Sequence, residues 1–192
     1  MVSKSPKSDV VFHNETIQGI VDFASVHAPK AKYNKQNSKF DNDKEFSVTL
    51  RLDNPATLKA METLLNKHNF SSTVLNPNSG TQVPRLRPDK DGLMKIQFKR
   101  NYVTNEGKVN SIPVVKADGK TPLPPEVLVG NGSEAVIYLT MTTDANTGEG
   151  KSIILTGLQV LNLSAPSGPK FKNYVQPDDS STTETVQQSS PF

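Results

Sequence analysis

The stretch GLMKIQFKRNY, residues 92–102, carries the clearest candidate chemistry of the sequence. Lys95 and Lys99 occupy polar positions within it, and Arg100 and Tyr102 follow at its end. Lysine and arginine neutralise phosphates, and a tyrosine ring can stack on an unpaired base. The pattern is typical of a surface that binds a single nucleic-acid strand. The alternative is a solvated antiparallel strand, which is the commoner reason for lysines along one face.

An element with a period of two must position these side chains. Met94, Ile96 and Phe98 alternate with the polar residues, which predicts a strand with one face in the core and one in water. Residues 45–53, EFSVTLRLD, alternate in the same way and place Arg51 on the polar face. These two strands would present cations side by side if they are neighbours.

Three further stretches predict strands, at residues 17–28, 132–143 and 151–163. Gly19 lies inside the first of them and indicates a bulge or bend. The second and third are separated by DANTGEG, residues 144–150, whose residue types favour a hairpin turn. The last strand is apolar on both faces, as a strand that closes a barrel can be.

A single amphipathic helix is predicted after Asn54, which is placed to cap it, with Pro55 in its first turn. Apolar side chains recur three and seven residues after Leu58, and the pattern ends near residues 67–69. The helix has few basic residues, so we interpret it as core packing and not as an element that enters a DNA groove.

The connections are long and contain further basic and aromatic residues. KAKYNKQNSK, residues 30–39, reads as a basic loop, residues 70–91 and 103–131 as longer connections, and residues 112–116 as a short strand within the latter. With no alternation of strands and helices, the chain is predicted to be all-β: a five-stranded OB-fold barrel with one helix, long loops and a disordered C-terminal tail. The DNA-binding candidates are Lys32, Tyr33, Arg51, Arg85, Arg87, Lys95, Lys99, Arg100, Tyr102 and Tyr138.

Composition divides the chain. The net charge is +3, but residues 176–192 hold three acidic residues and no basic one, so the body is basic and the tail acidic. A basic body attracts polyanions. We expect a flexible N-terminal arm at 1–14, the barrel at 15–163, a linker at 164–175 and a disordered acidic tail at 176–192 that ends in Phe192.

Enzymatic, metal-binding and membrane functions have little support in the sequence. The three histidines lack ligand spacing, there is no cysteine, and no catalytic or phosphate-loop motif is present. Asp41, Asp43 and Glu45 form a cluster with the right atoms for a cation, but a solvated turn is the favoured interpretation. We therefore predict a protein that is not an enzyme and needs no cofactor or metal. No apolar run is long enough to span a bilayer, and the N-terminus lacks the apolar core of a signal peptide.

Several segments, in this order and spacing, resemble a known family. They are PKAKYNKQNSKF before EFSVTLRL, then GLMKIQFKRN, IPVVKADGKTPLP before GNGSEAVIYLT, GKSIILTGLQVLNL, and a tail that ends in phenylalanine. Together they resemble the single-stranded DNA-binding proteins of short-tailed (T7-like) bacteriophages and their relatives in other tailed phages.

The resemblance implies an OB fold that coats and protects single-stranded DNA, without sequence preference, during phage replication and recombination in the cytoplasm of the infected bacterial host. It also implies a tail that competes with DNA for the basic groove and docks replication partners such as the phage DNA polymerase and primase-helicase, and it allows a homodimer. The tail residues expected to contact these partners are Asp178, Asp179, Glu184 and Phe192. The alternative is a phage structural or assembly protein with an all-β domain, which would not explain a basic body joined to an acidic tail.

Overall fold

The computed structural model describes residues 9–34, 39–70, 87, 88, 92 and 94–164 of the chain. The elements in that part are β1 (Val10–Asn34), β2 (Lys39–Arg51), α1 (Pro55–Lys67), β3 (Arg87–Pro88), β4 (Met94–Asn101), β5 (Val114–Val115), β6 (Ser133–Asp144) and β7 (Gly150–Asn162). The side chains of residues 33, 34, 39–42, 87 and 88 are outside this description.

Five of these strands form a closed ring in the order β1, β2, β4, β7, β6, with β6 paired back to β1. All of these pairings are antiparallel except that of β4 with β7, where a parallel contact at Lys99 and Ile154 closes the ring. The prediction of an all-β, OB-like five-stranded barrel with one helix is confirmed.

Inside the ring, the alternation predicted for β2 and β4 is confirmed. Ile96 and Phe98 of β4 are fully buried, and so are Val48 and Leu50 of β2, to which they pair. The inward side chains of β6 complete the core from the other side of the barrel. The lysines of β4 consequently project from the outer face.

The first strand is longer than the sequence predicted, and this corrects two expectations. β1 begins at Val10 and not at residue 17, so residues 10–14 belong to the sheet and not to a flexible arm. It also continues to Asn34 and pairs there with Lys39, so most of the predicted loop at 30–39 forms the arms of a hairpin. Pairing with β6 and β2 supplies the backbone hydrogen bonds that stabilise the two ends of β1, and composition alone does not reveal such partners.

The helix is confirmed, and its position explains Gly19. Asn54 Oδ1 accepts a hydrogen bond from Ala56 N at 2.8 Å, and α1 ends at Lys67 as expected. The ladder between β1 and β6 runs without a shift past Gly19, so the predicted bulge is not there. A Cβ at Gly19 would lie 2.7 Å from Leu50 Cδ1 and 3.0 Å from Thr57 Cγ2, so glycine is needed for the close approach of α1.

Parts of the predicted domain division lie outside the described residues. These are residues 1–8 of the N-terminal arm, the linker beyond Ser164 and the whole of the tail at 176–192.

Candidate nucleic-acid interface

The outer face of β2 and β4 brings three predicted cations together. Arg51 pairs with Lys95 in the register of these strands, and Lys99 lies four residues further along the same face of β4. Phe23 of β1 lies beside them, with its ring centroid 5.8 Å from Lys95 Nζ. We call Phe23, Arg51, Lys95 and Lys99 the cationic surface.

The buried carboxylate of Asp22 organises the cationic surface from beneath. Its oxygens accept hydrogen bonds from Arg51 Nε at 2.7 Å and from Arg51 Nη2 at 2.8 Å. Lys95 Nζ lies 3.4 Å from Asp22 Oδ2, and the backbone N–H of Gly132 donates to Oδ1 at 3.1 Å. The side chain of Asp22 is only 2% exposed, whereas that of Arg51 is 32% exposed, so the carboxylate anchors the cations without reaching the surface itself.

These contacts keep Asp22 ionised. Burial raises the pKa of the Asp22 carboxyl, but the Arg51 hydrogen bonds together with the Arg51 and Lys95 charges outweigh it, and the net pKa lies below the ordinary value of 3.8. Two cations, Arg51 and Lys95, are thus held at one buried carboxylate on the outer face of the barrel. Cationic side chains at a solvent-accessible site attract a phosphate.

Two other predicted cations are matched one to one with acids along the same side of β2. Lys99 Nζ is 2.6 Å from Glu45 Oε1, and Lys32 Nζ is 3.6 Å from Asp43 Oδ2. Asp43 and Glu45 belong to the acidic cluster considered above as a cation site, and here they pair with lysines.

The structure separates Arg100 and Tyr102 from the cationic surface. Arg100 pairs with Phe46 and lies on the same face of β4 as the buried Ile96 and Phe98. Its Nη2 donates a hydrogen bond to Asn110 Oδ1 at 2.9 Å. Tyr102 is partly buried, with its ring 5.8 Å from that of Phe46 in an edge-to-face arrangement. Tyr102 therefore packs against the core.

Tyr138 also lies apart, because β6 is separated from β4 by β7 in the ring. Its side chain is partly exposed, and its hydroxyl donates to Gln159 Oε1 at 3.0 Å on β7. Tyr138 therefore makes a cross-strand contact between β6 and β7.

The remaining candidates are described only in part. Arg87 lies in β3 with its backbone opposite Lys95, which places it at the margin of the cationic surface. The backbone of Tyr33 lies in the hairpin arm opposite Phe40, and the side chains of Arg87 and Tyr33 lie outside the described residues. Arg85 lies outside them entirely.

Sequence reasoning missed Asp22 and Phe23, which the structure places at the centre of the cationic surface. Both lie within the apolar run IVDFA, residues 20–24, which reads as an ordinary strand interior. A single acid inside an apolar strand was the available signal, because a buried carboxylate requires a cationic partner. The identity of that partner depends on strand register and is not visible in the local sequence.

Within the described residues, no three His, Cys, Asp or Glu side chains are grouped so as to hold a metal ion. No helix in that part of the chain is long and apolar enough to cross a membrane.

Comparison with solved structures reveals a likeness of fold. No family model matches the chain, and no curated protein matches it. The chain is similar to the crystal structure of gp2.5, a single-stranded DNA binding protein encoded by bacteriophage T7, with a TM-score of 0.53 and 16% identity. The likeness covers 86% of this chain and 100% of that one. The chain therefore shares the fold of a phage single-stranded DNA binding protein.

Proposed function

We propose that this protein binds single-stranded DNA without sequence preference and coats it during phage DNA replication and recombination. The observation that carries the proposal is the pair of cations, Arg51 and Lys95, that the buried carboxylate of Asp22 holds together on the outer face of the barrel. The fold supports it, because gp2.5 of bacteriophage T7 has a similar structure and is a single-stranded DNA binding protein.

Binding would proceed through phosphates. Lys95 and Lys99 are four residues apart on β4, about 13 Å at the rise of an extended strand, so they can contact different phosphates of one DNA strand. Each phosphate that is neutralised releases condensed counterions, which favours binding. Contacts of this kind carry no sequence information, and the proposal contains no catalytic step.

The first test compares single-stranded with duplex oligonucleotides over a range of salt concentrations. We expect preference for the single strand, indifference to its sequence, and a log–log slope of about −0.7 for each phosphate neutralised. Fluorescence anisotropy titrations measure all three quantities. Equal affinity for duplex, or affinity that does not change with salt, would contradict the proposal and favour a structural or assembly role.

Two lysine-to-glutamine variants test whether DNA binds at the cationic surface. Lys95→Gln should weaken binding and reduce the size of the salt slope by about 0.7, because one phosphate contact is lost. Lys120→Gln removes an exposed lysine from the turn after β5, a strand that pairs with β7, and should leave both quantities unchanged. Equal effects of the two variants would show that only the overall charge matters.

We also propose that residues 176–192 dock the phage DNA polymerase or primase-helicase through Asp178, Asp179, Glu184 and Phe192, in the cytoplasm of the infected host. The support is the sequence: an acidic segment that ends in an aromatic residue and a carboxylate suits a basic-rimmed pocket on a partner. Association as a homodimer belongs to the same proposal. It is tested by the mass of the protein in solution.

Deletion of residues 176–192 should abolish partner binding and strengthen DNA binding slightly at low salt. The effect on DNA should be small, because three acids compete weakly with a polyanion and salt screens them. Phe192→Ala should lose the partner and keep DNA affinity. Pull-down of the polymerase and oligonucleotide titration measure both effects. Each is made on the full-length protein, the deletion variant and the Phe192→Ala variant. Partner binding that survives the deletion would exclude the tail as the docking element.

A further inference from the structure

Phe23 occupies a backbone irregularity in β1. Asp22 pairs with Thr49 and Ser25 with Ser47, so β1 has two residues, Phe23 and Ala24, where β2 has only Val48. This is the pattern of a β-bulge, a device that redirects side chains. Phe23 itself has a φ of 49°, in the left-handed region, which disfavours a bulky side chain.

The loop before β6 holds Phe23 in this conformation. Asn131 Oδ1 accepts the backbone N–H of Phe23 at 2.7 Å, so that donor is satisfied outside the ladder. The next residue, Gly132, donates to Val21 O at 2.9 Å and to Asp22 Oδ1 at 3.1 Å. The bulge is therefore clamped at Phe23 and at the two residues before it.

The clamp turns an aromatic ring outward. Phe23 is 56% exposed although it lies within an apolar run, so the strain is not accompanied by burial of the ring in the core. The ring stands beside Lys95, with 5.8 Å between Nζ and the centroid, and Arg51 is linked to the same Asp22. A strained residue that does not contribute its ring to the core is a reason to look for a function.

We infer that Phe23 is a base-stacking site of the cationic surface, and that Asn131 is its positioning residue. The ligand is one unpaired nucleobase of any identity, stacked on the outward face of the ring while Lys95 and Arg51 contact the adjoining phosphates. The inference rests on the proposed function and adds to it the subsite that takes the base.

Phe23→Gly separates stacking from folding, since glycine accepts the left-handed conformation. Affinity for a thymidine oligonucleotide should fall by about 5- to 150-fold, the range for loss of one stacked base. Affinity for an abasic oligonucleotide of equal length and the salt slope should both stay unchanged. The melting temperature should not fall. A lower melting temperature with unchanged thymidine affinity would show that the ring serves folding, and would overturn the inference.

Phe12→Gly is the matched control. Phe12 is 68% exposed on the part of β1 that pairs with β6, and it does not have a positive φ. This variant should leave thymidine binding unchanged. If it reduces binding as much as Phe23→Gly does, exposed aromatic area in general is responsible and the inference fails. If the unaltered protein binds neither oligonucleotide, the proposed function fails as well, which the Phe23 comparison alone would not show.

A double variant tests whether Asn131 acts through Phe23. Asn131→Ala should reduce affinity for the thymidine oligonucleotide and not for the abasic one, because the ring is no longer held in place. In a protein that already carries Phe23→Gly, the same substitution should have no further effect on thymidine binding. Additive losses in the double variant would show that Asn131 acts independently of Phe23.

Discussion

Replacing Phe98 with alanine is expected to lower the free energy of unfolding by about 3–5 kcal/mol. Phe98 is fully buried on the inner face of β4 and pairs with Val48, which is also fully buried. The next residue of β4 makes the contact with β7 that closes the ring. Loss of the phenyl group of Phe98 leaves a cavity next to this contact between β4 and β7. Denaturant unfolding followed by circular dichroism measures the change.

Lys99→Ala is the control for that measurement, because it alters the neighbouring residue on the opposite face of β4. The Lys99 side chain is 50% exposed and pairs with Glu45. Surface ion pairs contribute about 0–1 kcal/mol, so stability should change little. A larger loss from Lys99→Ala than from Phe98→Ala would mean that the two faces of β4 are inverted.

Replacing Arg51 with alanine is expected to lower the free energy of unfolding by about 2–3 kcal/mol at neutral pH. The substitution removes two hydrogen bonds from the buried carboxylate of Asp22. Lys95 and the Gly132 N–H remain as partners, so the loss should be smaller than for a carboxylate left wholly unpaired. Thermal and denaturant unfolding measure the difference from the unaltered protein.

The dependence of this difference on pH identifies Asp22 as its origin. The pKa of Asp22 is lower in the folded protein than its ordinary value of 3.8. Its ionised form therefore contributes stability that is fully present above 3.8 and is lost as the pH falls through the folded value. Without Arg51, burial of the charge is less well compensated at neutral pH, and protonation removes that cost. The two proteins should therefore become more alike in stability as the pH is lowered.

A second variant confirms the assignment. In a protein that carries Asp22→Asn, the Arg51→Ala substitution should cost much less, and its cost should not vary with acid pH, because no buried carboxylate remains to be ionised. An Arg51→Ala effect that is the same at every pH, with or without Asp22, would show that the arginine stabilises the fold through packing of its alkyl chain.

Local patterns predicted most of the elements because their causes are local. The alternation in β4 reflects one buried and one solvated face, and the cap at Asn54 satisfies a donor two residues away. The ends of β1 were missed for the complementary reason. Residues 10–14 pair with β6, which is distant in sequence, and their apolar side chains stay exposed. Residues 30–34 are mostly polar and become strand through hydrogen bonds to β2.

For the candidate site, the sequence by itself determined which residue types are available and on which face of β2 and β4 they lie. Only the tertiary structure decided how they combine. Arg51, 29 positions from Asp22, meets it because β1 and β2 pair in a register interrupted by the bulge at Phe23. The same packing turned Tyr102 toward the core and Phe23 toward solvent. Periodicity specifies the face of a strand, whereas partners depend on register and closure, which are set by contacts between distant segments.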